Sequence, residues 1–266
     1  MITGEQENFF VARTREGMNK EIKDTLIAPR GFEIHGITDK EEDCILVMGL
    51  NPAGNEDDAK REREGPDRTY WYSIDSAGSK DDTPKWFYNK YFRPIFEFAR
   101  ATLGDDVKWP WCNYAWDVIQ DEIEQYEDLK EIEPQIKRFY ESCYAAKYTI
   151  YIGDMFYYHE TSATELMKLL NKKESDYYDY CRRMLDFHIK ALTDHKKKIK
   201  YIYVANARVS RWLSKDQPIT FELREDGIGV FYGGMLSGQR CLDLFSRERL
   251  IKEIKCFCFQ AEKKEK

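Results

Sequence analysis

Short apolar runs alternate with amphipathic stretches along the chain, and this alternation predicts strands and helices in turn. "DCILVMG" (43–49) is unbroken apolar sequence between acids and a glycine, the pattern of a parallel strand buried on both faces. "VKWPWCNYAW" (107–116), "KYTIYIG" (147–153), "KYIYVAN" (200–206) and "GIGVFYGG" (227–234) predict four more strands, although Pro110 sits poorly in the first of them. Helical spacing marks "YFRPIFEFARATLG" (91–104), which closes on a glycine, then 117–146, and 160–198 with a polar break at "NKKESDYYDY". The short "ARVSRWLS" and the closing "CLDLFSRERLIKEIKCF" read the same way. Residues 51–90 carry few periodic apolar positions and many turn formers; a connection this long inside a compact domain is usually functional or mobile.

Strands alternating with helices imply a single α/β domain over 1–266: three layers, α/β/α, around a mostly parallel sheet of four to five strands. Within it, residues 1–40 are expected to form an N-terminal adaptor. Residues 139–198 are expected as an extra strand–helix unit, and 260–266 as a frayed tail.

Composition narrows the class. Hydrophobic residues at 42% and charged residues at 34% fit a folded globular chain, not a disordered one. No apolar run approaches the roughly 20 residues of a membrane helix, and the N-terminus lacks the order of a signal peptide, so a cytoplasmic protein without a membrane partner is expected. The seven cysteines form no Cys-x-x-Cys pair and read as reduced core thiols. The four histidines show no metal-ligand spacing, so a histidine-based metal site is not expected. A net charge of −6 weighs against strong nonspecific DNA binding, but a local basic face is compatible with it. "KKKIK" (196–200) reads as a solvated helix end able to contribute to such a face. The aromatic content is high, 15% with 18 Tyr and 6 Trp; much of it must be core, but loop aromatics can stack on bases or sugars.

In a doubly wound sheet, ligands sit beyond the carboxyl ends of the strands. After the first predicted strand comes "GLNPAG". Pro52 fixes its own φ and pushes Asn51 toward extended geometry, while Gly49 and Gly54 allow close backbone approach. Asn51 then either caps its own turn or presents an amide to a ligand. "CNYAW" offers Asn113 either as a strand terminator or as a second recognition amide. "DMFYY", "ARVS" and "MLSGQR" follow the remaining strands.

A strand ending in Gly-hydrophobic-Asn-Pro-Gly resembles the first motif of the uracil-DNA glycosylase superfamily, nearest its mismatch-specific and single-strand-selective monofunctional branches. The resemblance implies that Asn51 positions the water that attacks the sugar carbon of a flipped-out nucleotide, with Gly49, Leu50, Pro52, Ala53 and Gly54 around the base. It implies that Asn113 reads the Watson–Crick edge, where a mispaired base would leave buried groups unsatisfied at roughly 1–3 kcal/mol. Tyr70 and Trp71, in "DRTYWYS", would stack on the base. "LSGQR" is similar to the Pro-Ser-Gly form of the second motif, so that Ser237 and Gly238 would grip a phosphate near a helix N-terminus and Arg240 would enter the duplex or meet a phosphate. Arg208 is the reserve phosphate contact should "VANARVSRWL" hold that motif instead.

Two departures matter. Ala53 is one residue more than the first motif has, and with Gly54 it leaves the gate beside the 5-position of the base open. No histidine accompanies "LSGQR", so the group that stabilises the departing base is missing there, a loss often worth about 10²–10³ in rate. The expectation is therefore a monomeric DNA glycosylase-like hydrolase acting on uracil or a related damaged or mispaired base, a chemistry that the resemblance implies needs neither a metal nor an organic cofactor. The alternatives are a weak or inactive superfamily member that binds a nucleobase, nucleotide or nucleic acid, and a small-molecule α/β enzyme with an incidental turn.

Overall fold

The computed structural model describes residues 40–50, 92–108, 127–131, 133–156, 177–238 and 241–264, together with positions 116, 120, 123 and 124. The elements are β1 (Glu42–Gly49), α1 (Phe92–Leu103), α2 (Glu127–Glu131), α3 (Glu133–Tyr144), β2 (Thr149–Asp154) and α4 (Tyr177–Asp194). They continue with β3 (Lys197–Val204), α5 (Ala207–Leu213), β4 (Phe221–Leu223), β5 (Gly229–Tyr232) and α6 (Leu244–Lys264). The five strands form one sheet in the order β2-β1-β3-β5-β4, parallel except for β4.

The sheet is buried on both faces, which is why β1 has no polar–apolar alternation. Cys44, Leu46 and Met48 pack with the buried stripe of α4, which includes Tyr180, Cys181, Met184, Leu185 and Leu192. Val209, Trp212 and Leu213 of α5 complete that layer. Ile45 and Val47 point the other way, toward Phe98 and Ala99 of α1, Tyr140 of α3 and Ile254 of α6. Helix, sheet and helix thus make the three expected layers. Among the described residues no helix is long and apolar enough to cross a membrane.

Local chemistry sets several boundaries. Gly104, at φ +89°, ends α1 by donating to the Arg100 carbonyl at 2.8 Å, in a backbone region that disfavours other residues. Asp243 fixes the start of α6 by accepting from Ser246 N at 3.0 Å and Oγ at 2.7 Å, and these bonds hold its carboxyl below the usual range.

The sequence reading needs correction at four places. Among the described residues, the strand expected over 107–116 reduces to one parallel bridge, Val107 with Tyr148, and Trp116 is helical. Pro110 has no N–H to give a ladder. The short antiparallel edge strand β4 is too brief to show a period. The stretch expected to fray is helical through Lys264. "KKKIK" opens β3 and is not a helix end: Glu42 and Asp43 face Lys197 and Lys198 across the β1–β3 pairing. Lys197 is buried on Glu42 at 2.8 Å, Lys198 meets Glu41 at 2.5 Å, and Lys200 lies 3.4 Å from Asp43. These lysines neutralise neighbouring acids at the amino edge of the sheet. Residues 139–198 supply β2 and α4, which take their places in the sheet beside β1 and in the layer covering β3.

Candidate functional site

The strand order locates the crevice. From β1 the chain passes to β2 on one side; from β3 it passes to β5 and β4 on the other. Connections therefore diverge above the carboxyl ends of β1 and β3, the switch point at which open α/β sheets take their ligands.

Four residues form the last row across this edge. Gly49 pairs with Asp154 of β2. Ala205 N donates to Met48 O at 2.8 Å, and Gly233 N donates to Val204 O at 3.2 Å, so the row runs Asp154, Gly49, Ala205, Gly233. One carboxylate thus stands beside three positions with little or no side chain. Beyond the row, Met155 N donates to Gly49 O at 3.2 Å and Phe156 N to Leu50 O at 2.9 Å. The exit from β1 is therefore held by main-chain bonds up to the residue before Asn51.

On the β3 side, Asn206 caps α5: its Oδ1 accepts from Arg208 N at 3.0 Å and Val209 N at 3.2 Å. Arg208, half-buried, stands in the first turn of that helix. On the β5 side, Ser210 Oγ donates to Gly233 O at 2.8 Å, and Tyr203 OH donates to Gly234 O. The loop then turns outward, with Met235 exposed, Ser237 half-buried and Gly238 exposed at φ +91°.

Gly49 and Leu50 thus lie where the sequence put them, at the exit of β1. Ser237 and Gly238 lie in the β5–α6 loop, whose base at Gly233 is two strand spacings or about 10 Å from Gly49 along the same edge. The following helix, α6, starts at Leu244, six residues beyond Gly238; Cys241 N donates to Gly238 O at 3.4 Å, and the Asp243 carboxylate accepts from the first-turn amide of Ser246. Asn51, Pro52, Ala53, Gly54, Tyr70, Trp71, Asn113 and Arg240 lie outside the described residues. On one side β1 pairs with β2, which ends in Asp154, so a carboxylate stands at the edge next to Gly49. The sequence reading had marked "DMFYY" only as a segment following a strand.

His188 and His195 are the described histidines, and neither serves this edge near Ser237. Burial pushes the His188 imidazole down to about 4, against the Met184 carbonyl 2.7 Å from Nδ1, which raises it. The ring fills the space over Gly153, where a Cβ would meet it at 2.5 Å. His195 follows α4, just before the amino end of β3. Among the described residues no three His, Cys, Asp or Glu side chains gather into a metal site.

A second polar cluster lies at the opposite edge, seven residue rises or about 23 Å from Gly49. Glu42 Oε1 receives Lys197 Nζ at 2.8 Å and Tyr151 OH at 2.7 Å; Oε2 receives Lys108 Nζ at 3.1 Å and Thr149 Oγ1 at 2.9 Å. Burial pushes the Glu42 carboxyl up, but the bonds from Lys197 and Tyr151 and the Lys108 charge outweigh it and bring it down to about 2. Its acceptors are filled by strand-borne donors, which makes it a fold determinant and not a binding site.

No family model matches the sequence, and no curated protein or solved structure is detectably similar to it.

Proposed function

We propose that the chain is a nucleobase-directed N-glycosyl hydrolase acting on DNA, in which Asn51 positions the attacking water and the Ser237–Gly238 segment receives a phosphate. The observation that carries this reading is the convergence of the β1 exit and the β5–α6 loop on one edge, at the switch point of a parallel sheet. "GLNPAG" and "LSGQR" are the two motifs of the glycosylase resemblance, and these are the loops that bear them. The chemistry requires no metal. Water held by Asn51 attacks the sugar carbon as the bond to the base breaks; the electron pair leaves with the base, and the proton that the water gives up ends on the departed base.

A second reading, a noncatalytic member that binds a nucleobase or nucleic acid, is favoured by the state of His188. It is buried, neutral at pH 7 and about three strand spacings from β5, so it does not stabilise a departing base there.

The deciding experiment incubates the protein with single- and double-stranded oligonucleotides carrying uracil, hypoxanthine, xanthine or 5-hydroxymethyluracil, followed by alkali. Strand cleavage that falls about 10²–10³-fold in Asn51→Ala supports hydrolysis. Oligonucleotide binding with no cleavage across the panel supports the noncatalytic reading. Neither binding nor cleavage sinks both.

A further inference from the structure

We propose that Ser210 is a positioning residue which, with Tyr203, holds the Ser237–Gly238 segment in place to receive a nucleic-acid phosphate; this rests on the reading of the site given above. Ser210 lies on α5 among Val209, Trp212 and Leu213, all fully buried, and is itself only 8% exposed. Alanine would serve the helix better at such a position. The hydroxyl is instead used twice on one residue of another element. Ser210 Oγ donates to Gly233 O at 2.8 Å and accepts from Gly233 N at 3.2 Å, and that N–H also reaches Val204 O at 3.2 Å.

Tyr203 secures the next residue. Its ring packs on Phe98 with centroids 4.7 Å apart, and its hydroxyl donates to Gly234 O. A Cβ on Gly233 would meet that ring at 2.7 Å, so only glycine lets the strand exit lie so close to β3. The far side of the loop is closed by Leu242 N on Met235 O at 2.9 Å.

Both ends of the loop are therefore bonded at its base; beyond it Ser237 is half-buried and Gly238 exposed, and Cys241 N donates to Gly238 O at 3.4 Å. Main-chain amides and a hydroxyl presented by a rigid turn grip a phosphate through neutral hydrogen bonds, and their value depends on position. Ser210 sets that position without touching the ligand. It also ties the exit of β5 to the helix that follows β3, on one side of the crevice.

The test uses the full chain in four forms: unaltered, Ser210→Ala, Ser210→Thr and Tyr203→Phe. Two quantities are measured: hydrogen exchange across 233–238, and affinity over a salt series for a fluorescein-labelled DNA duplex carrying a tetrahydrofuran abasic-site analogue. Ser210→Ala should speed exchange at 233–238 while leaving β1 and β2 unchanged. It should weaken binding about tenfold with an unaltered slope of log affinity against log salt, because the lost grip is neutral. Ser210→Thr, which keeps the hydroxyl, should restore both. Tyr203→Phe, which keeps the ring, should shift both in the direction of Ser210→Ala. The proposal is overturned if exchange at 233–238 is unchanged in Ser210→Ala and Tyr203→Phe, or if the loop loosens while affinity holds. If Ser210→Ala loosens the whole sheet, Tyr203→Phe decides. Failure of the unaltered protein to bind the duplex removes the nucleic-acid reading and the phosphate role with it, and exchange still shows whether Ser210 clamps the loop.

Discussion

At Glu42 one carboxylate serves two lysines, a tyrosine and a threonine drawn from three separate parts of the chain. The Lys197 side chain is fully buried and that of Glu42 nearly so, which places the pair where an uncompensated charge is costly. Glu42→Gln would keep the shape and remove the counter-charge from Lys197 and Lys108. We expect it to destabilise the fold by about 3–5 kcal/mol, read as a lowered urea midpoint with an unchanged slope. A midpoint shift below about 1 kcal/mol would show that the lysines shed their protons at little cost. The acid itself was visible in the sequence at the head of an apolar run. Its partners were not, because Thr149 and Lys197 lie more than a hundred residues away and no local pattern joins them to it.

At the scale of elements, α5 is the short helix on which the candidate crevice depends. It spans seven residues, too few to be stable by propensity alone, so its cap and its packing must hold it. Asn206 supplies the cap through two main-chain bonds, and Trp212 anchors the far end against Tyr177 with ring centroids 5.1 Å apart. Asn206→Ala should cost about 1 kcal/mol, within a range of roughly 0.5–2, measured by thermal unfolding. It should also speed amide exchange in 207–213 ahead of β3; equal acceleration in both would show that the cap acts on the whole fold. The helix was legible in "ARVSRWLS", whereas its cap, Asn206, falls in "KYIYVAN", which reads as the end of a strand. Ser210 was not legible either. A serine on a helix carries no periodic signal, and its partner Gly233 is met only when β5 lies beside β3.

For the whole molecule, acid is the informative stress. His188 has a folded value of about 4 against an ordinary 6.5, so the unfolded chain binds the proton first as pH falls. The stability this contributes is complete above about pH 6.5 and is lost as pH drops toward 4. Glu42 lies at about 2 against an ordinary 4.5, so its contribution is complete above about pH 4.5 and disappears as pH falls through 2. Both act in the same direction, giving a stability that declines in two overlapping stages. The prediction is a urea midpoint that is flat near neutrality and begins to fall below about pH 6.5. In His188→Gln the fall should start only near pH 4.5. An unshifted onset in that variant would assign the upper stage to another group.

The sequence by itself determined where β1, β2, β3 and β5 run, that the sheet is mostly parallel, and that glycine-bearing loops follow β1 and β5, because these properties are written in contiguous apolar runs and the residues that interrupt them. It could not determine strand order. Only the tertiary structure put β2 beside β1, brought Asp154 next to Gly49, paired "KKKIK" with the acids at the head of β1, and joined Ser210 to Gly233. Each of these depends on residues far apart in the chain, whose meeting is decided by which faces and edges can be buried together.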